Sequence, residues 1–281
     1  MNVSFQNTGM SNRVIESSWK ALLGLTAALF LLTSCTDFIA GVDHQKEWET
    51  EKFGRIVLHY RPEGFSSSPS PSFEEARRIV QNQNVYFQAI QDSLRRTFDE
   101  QVLIYLYNQD EAEEMIGTDA GGHAIPKFNC FYYSYRVNRK QLTDQYQVKD
   151  PVIGAHELVH VITHRLLGYP GTKMMSEGYA VWLDGIYGGY RINTIIRSYR
   201  DDQPRKILTP DQLLSKSTSE ESVYYPNAGV FIRFLVHTYG VTNINMLFSR
   251  SADHLKDEFH YVTHTTWADM SFRYANYIEE L

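Results

Sequence analysis

The reading of this chain turns on Val152-Ile153-Gly154-Ala155-His156-Glu157-Leu158-Val159-His160-Val161-Ile162-Thr163-His164. Three residues separate His156 from His160, and a glutamate follows the first. In an α-helix, at ~100° per residue, the two histidines stand about 40° apart on one face and ~6 Å apart along the axis. Imidazoles so placed can both reach one metal ion. Glu157 is turned ~100° from His156, so its carboxylate comes close to that ion without having to ligate it. Val152, Ile153, Val159, Ile162, Leu166 and Leu167 supply the apolar sides of a buried helix. Asp150 is the expected N-cap and Pro151 suits the first turn, which predicts a helix over 152–167. His164 extends the stripe but lies ~12 Å along the axis from His156. It cannot share the ion on a straight helix, and reads as a surface residue or one packed behind the ligands.

A second element lies downstream. Ser176-Glu177-Gly178-Tyr179-Ala180-Val181-Trp182-Leu183 begins 16 residues after His160, in a new predicted helix over 176–187. The His-Glu-x-x-His motif followed at this distance by a glutamate resembles the gluzincin metallopeptidases, the thermolysin and aminopeptidase N superfamily. The Glu-Gly-x-Ala form is similar to its small peptidase-MA-like branch. The resemblance spans roughly residues 102–281. It implies an α+β, zincin-like fold: a small mixed sheet, the motif on an active-site helix, and a helical C-terminal half. It also implies Zn²⁺ held by His156, His160 and Glu177, with Glu157 as general base in the hydrolysis of peptide bonds. Metzincins need Gly and His three and six residues after the second histidine; Thr163 and Leu166 stand there instead.

The same resemblance suggests further site residues. Gly121-Gly122-His123-Ala124 falls where gluzincins have the edge strand that pairs with substrate backbone, or else is an ordinary loop. Tyr224-Tyr225-Pro226-Asn227 is similar to the segment carrying the transition-state tyrosine, and either tyrosine fits. Pro226 biases Tyr225 toward an extended conformation ahead of a helix predicted over 226–239. Asp184, seven residues after Glu177 on the same helical face, is placed to orient a ligand histidine. No Gly-x-Met-Glu-Asn exopeptidase motif is present, so an endopeptidase is expected rather than an aminopeptidase. The alternative is a catalytically weak or inactive surface protein that keeps the fold as a binding or scaffold module.

The rest of the chain is read around this centre. Arg13 and Lys20 lead into 13 apolar or small residues, Ala21 to Thr33, the length of a signal-peptide core. Leu32-Thr33-Ser34-Cys35 resembles the bacterial lipobox. It implies a signal peptide over 1–34 and a diacylated Cys35 that anchors the protein to a membrane of the bacterial cell envelope. Residues 35–52 read as a tether and 53–281 as the folded domain, sheet-rich over 53–150 and helical over 151–281. Strands are expected at 55–60, 102–107, 121–124 and 128–135. A helix is predicted from Phe73 to about Phe98, entered through a Ser72/Glu75 capping box, and a short one over 111–116. Further helices are predicted over 190–199 and 265–280. Strands first and helices afterwards argue for an α+β domain.

Composition closes off other classes. Hydrophobic residues make up 43% of the 281-residue chain and charged residues 21%, as in a folded globular protein. The net charge of -6 offers no basic field to nucleic acid. Two cysteines, Cys35 and Cys130, are too few for a disulfide scaffold or a thiolate zinc site. Cys130, in an aromatic strand, reads as a small buried apolar residue. The expected partners are a peptide or protein substrate and, through Cys35, a membrane.

Overall fold

Five strands form one mixed sheet: β1 (Glu49–Phe53), β2 (Ile56–Tyr60), β3 (Val102–Tyr107), β4 (Gly122–Ile125) and β5 (Cys130–Ser134), in the order β1-β2-β3-β5-β4. The computed structural model describes residues 48–62, 69–108, 111, 121–135, 153–215 and 220–281. The chain separates into units 1–48 and 49–281, and the strands and helices of the described residues lie in the second. The proposed signal segment, Cys35, Asp150 and Pro151 lie outside the described residues.

β2, β3 and β5 run parallel, and β1 and β4 pair antiparallel at the two ends of the sheet. Parallel neighbours need a crossover. Helix α1 (Phe73–Leu94) supplies it between β2 and β3. The predicted capping box is present: the Ser72 hydroxyl accepts the Glu75 N–H, and the Glu75 carboxylate accepts the Ser72 N–H. Ala76, Ile79, Val80, Phe87, Ile90 and Leu94 form the buried face of α1. They pack with Ile56, Leu58, Tyr60, Val102, Ile104, Leu106 and Phe131, alternate residues of the strands, so one sheet face carries the core.

The remainder is helical: α2 (His156–Leu167), α3 (Lys173–Asp184), α4 (Ile192–Asp202), α5 (Pro210–Leu214), α6 (Glu221–Tyr239), α7 (Val241–Leu247), α8 (Ala252–Thr263) and α9 (Trp267–Glu280). A hairpin, β6 (Ile186–Tyr187) and β7 (Tyr190–Arg191), follows α3. Its tip is Gly188-Gly189, both at positive φ, which the two-residue hairpin turn requires. The architecture is α+β with a small mixed sheet. No helix among the described residues is long and apolar enough to cross a membrane.

Several expected boundaries move. Residues 49–52, expected in the tether, are strand, because Glu49–Phe53 completes the β2 ladder. Helix α2 starts at His156 rather than 152. Its N-cap residue Ala155 offers no side-chain cap, and the segment before it is drawn to α1, where Gln83 donates to the carbonyls of Ile153 and Gly154. Helix α6 starts at Glu221, so Pro226 and Tyr225 lie inside it. A proline there leaves the carbonyl four residues back without its partner; the Tyr199 hydroxyl donates to that Ser222 carbonyl at 3.0 Å. Helices α5, α7 and α8 have no counterpart among the predicted elements, although Thr209 and Gln212 form a second capping box that marks the start of α5.

Candidate metal centre

Helices α2 and α3 bring three donor atoms together. His156 Nε2 and His160 Nε2 are 3.2 Å apart. Glu177 Oε2 lies 3.4 Å from the first and 3.5 Å from the second. The one-turn spacing on α2 produces the first distance, as the sequence required; the other two depend on how α3 docks. On its other side α3 packs closely on α6, because two glycines meet the facing helix. A Cβ on Gly178 of α3 would lie 2.5 Å from Ile232 Cγ1 of α6, and one on Gly229 of α6 would lie 2.6 Å from Val181 Cγ1 of α3. These small residues let the backbones of α3 and α6 approach. The three side chains are a group that could hold a metal ion.

Charge is balanced inside the triangle. Burial alone would push the His156 imidazole down; the hydrogen bond to Glu177 and the charges of Glu157, Glu177 and Asp184 outweigh it and hold it up at about 9. Burial would push the Glu177 carboxyl up, but the two imidazoles hold it well below the usual carboxylate range. The far nitrogen of His160, Nδ1, lies 3.4 Å from the Ser176 hydroxyl. An Nδ1–H donated to that oxygen leaves the Nε2 lone pair facing the triangle. Sequence reasoning passed over Ser176, and its only signal was adjacency to Glu177.

Glu157 follows His156 on α2 and sits against the edge strand. A Cβ on Gly122 would be 2.9 Å from Glu157 Cγ. Glu157 is not one of the three clustered donors. Of the four residues expected at the edge, Gly122, His123 and Ala124 lie in β4 at the end of the sheet. Gly121 stands just before it, and its carbonyl accepts the Ser134 N–H. His123 is exposed and points to the sheet face opposite Gly122, with its ring 5.4 Å from that of Tyr132.

The tyrosine pair separates. Tyr224 is 2% exposed, and its hydroxyl donates to the Leu213 carbonyl at 2.8 Å. Its hydroxyl is thus committed to a backbone partner, while burial and the Glu177 charge push its pKa up. Tyr225 is half-buried, and its ring centre is 6.2 Å from that of His156. Burial and the Glu177 charge push its hydroxyl pKa up, so it keeps its proton. Tyr187, from the hairpin, stacks on Tyr225 at 5.5 Å, a contact with no signal in the sequence.

Asp184 acts at the helix terminus. Its Oδ1 accepts the Ala155 N–H at 2.8 Å, at the start of α2. Its charge also helps hold His156 up. His164 packs between His160, Tyr169 and Phe248 with both ring nitrogens buried, and burial pushes it down to about 4. It is therefore half-buried, packed behind His160 with its ring nitrogens turned inward. Cys130 is buried in β5.

No protein-family model matches the chain, and no curated protein matches it.

Proposed function

We propose that the chain is a zinc-dependent peptidase of the gluzincin type, tethered to the bacterial cell envelope through an acylated Cys35. The observation that carries this reading is the triangle of His156 Nε2, His160 Nε2 and Glu177 Oε2, with Glu157 adjoining it on the edge-strand side. Two imidazoles and a carboxylate are the donor set of catalytic zinc sites. Bonds of ~2.0–2.1 Å in a tetrahedron put ligand atoms about 3.3 Å apart. The three edges of the triangle, 3.2, 3.4 and 3.5 Å, fit that size. A zinc ion so held would polarise a carbonyl and acidify water.

The chain's own residues supply the rest. Glu157 takes a proton from the attacking water and passes it to the leaving amine. Tyr225, protonated and beside His156, would turn its hydroxyl from Glu221 Oε1, 3.5 Å away, to the oxygen that gains charge. Strand β4, at the end of the sheet, offers backbone groups to an extended peptide. No carboxylate stands in Gly122–Ile125 to hold a free amino terminus, which supports cleavage inside a chain over removal of N-terminal residues.

The test pairs metal analysis of the purified chain with digestion of a peptide library. Wild type should carry about one zinc per chain and cut the library. Glu157→Gln should keep the zinc and lose ~10²–10⁴-fold in rate. Equal cleavage by both would assign the activity to a contaminant and leave a metal-binding scaffold.

A further inference from the structure

Gly122 is a glycine that its backbone does not require. It lies in a strand and is not among the residues at positive φ, so alanine could adopt its conformation without strain. Glycine inside a strand is otherwise a loss, because it packs nothing and costs entropy. What demands glycine at 122 is space. A Cβ there would lie 2.3 and 2.8 Å from Cδ2 and Cε2 of Tyr133, and 2.9 Å from Cγ of Glu157. Tyr133 is the residue directly opposite Gly122 in the β4–β5 ladder. Its ring lies across the bare Cα, and the side chain of Glu157 comes down beside it.

We infer that Gly122 and Tyr133 form a seat for Glu157, and that the missing side chain at 122 is what positions the general base. This rests on the zinc-peptidase reading of the same site. It gives Gly122 a task other than pairing with substrate, since any side chain there would meet Glu157. A methyl at 122 would strike the half-buried Tyr133 ring hardest, at 2.3 and 2.8 Å, and Glu157 Cγ at 2.9 Å. The ring and the Glu157 side chain beside it therefore have to shift together. The three nearest atoms a methyl would meet belong to Tyr133 and Glu157, and none to His156, His160 or Glu177. Gly122 is a positioning residue: it moves the base and leaves the ion alone.

The test uses the full chain as wild type, Gly122→Ala, Glu157→Gln and Ile125→Ala. Ile125 lies on the same strand but on its opposite face, and so reports generic damage to the edge. Each chain is loaded with Co²⁺, and the visible cobalt bands are titrated against pH. Metal content and the rate on fluorescein-labelled casein are read in parallel. The cobalt bands sense the groups around the ion, so Glu157→Gln sets the signature of a lost base. Gly122→Ala should bind one ion per chain and shift the titration midpoint the same way as Glu157→Gln. It should lose ~10–10²-fold in casein cleavage, the scale of a misplacement near 1 Å. Ile125→Ala should keep the wild-type midpoint. A loaded Gly122→Ala chain with the wild-type midpoint overturns the seat while the zinc reading stands. Equal shifts in Gly122→Ala and Ile125→Ala overturn it as well, by showing that any damage to the edge has the same effect. A wild-type chain that takes up no cobalt overturns the metal reading, and the seat with it.

Discussion

The carboxylate of Asp184, at the C-terminal end of α3, accepts the backbone N–H of Ala155 at the start of α2, at 2.8 Å. One helix thus closes the other: α3 supplies Glu177 from its middle and caps the helix of His156 and His160 with its last residue. The first turn of α2 has N–H groups without partners inside the helix and no side-chain cap of its own, so a carboxylate there satisfies a donor and opposes the helix dipole. Gly154 leaves room for it, since a Cβ there would come within 3.0 Å of Asp184 Oδ1. Asp184→Ala is expected to lower stability by about 1 kcal/mol, as for other lost caps. It should also weaken metal binding by ~10-fold or more, as for other outer groups that orient ligands. Asp184→Asn, which keeps an acceptor oxygen, should do less of both. Denaturant melts and competition with a chromophoric chelator measure the two effects.

Metal uptake should be proton-coupled. In the metal-free chain the His156 imidazolium is held up at about 9 and the Glu177 carboxyl far down, so at neutral pH the pair shares one proton. An ion needs the imidazole neutral and must displace that proton. The sign follows: affinity rises about tenfold per pH unit up to roughly pH 9 and flattens above it. Calorimetric titration of Zn²⁺ at pH 7 in buffers of different ionisation enthalpy should find about one proton released per ion. A heat that does not depend on the buffer would place the ion elsewhere.

The two tyrosines should differ in kinetics. Tyr225→Phe removes a donor beside His156 and is expected to lower kcat by ~10²–10³-fold with KM little changed. Tyr224→Phe leaves the Leu213 carbonyl without its partner. That change should cost about 1–3 kcal/mol of stability and leave kcat near wild type. Steady-state rates and thermal melts on the two single variants read these outcomes; a silent Tyr225→Phe would move the oxyanion donor to another group.

Cys130 should be inert. Burial pushes its thiol up to about 12. At pH 8 the thiolate fraction is then ~10⁻⁴, and iodoacetamide needs the thiolate. Mass spectrometry of the peptide containing Cys130 should show no alkylation in the native chain and complete alkylation in urea. Rapid labelling without denaturant would contradict its burial.

The pairing of His156 with His160 is legible in the sequence because it is local: helical geometry alone sets two side chains four residues apart on one face. The same holds for the Ser72/Glu75 capping box and for strand β3, where pattern and structure agree. The start of α2 is not legible because its cap comes from Asp184, 29 residues away, while the sequence nearby offers Asp150 and Pro151 instead. The start of α6 is hidden for a related reason. Pro226 signals a helix boundary, but Tyr199 takes up the carbonyl that the proline leaves free, and the helix continues.

The sequence by itself determined the donor set: which residue types are present, and that two of them share a helical face. It could not decide between Tyr224 and Tyr225, because neighbours on a helix differ by ~100° and the direction that counts is set by where α3 and α5 lie. It also could not say why residue 122 is glycine. Its φ demands none, and the reason is the Tyr133 ring from the next strand and the Glu157 side chain from α2. Those contacts join residues distant in the chain, and only tertiary packing brings them within van der Waals range.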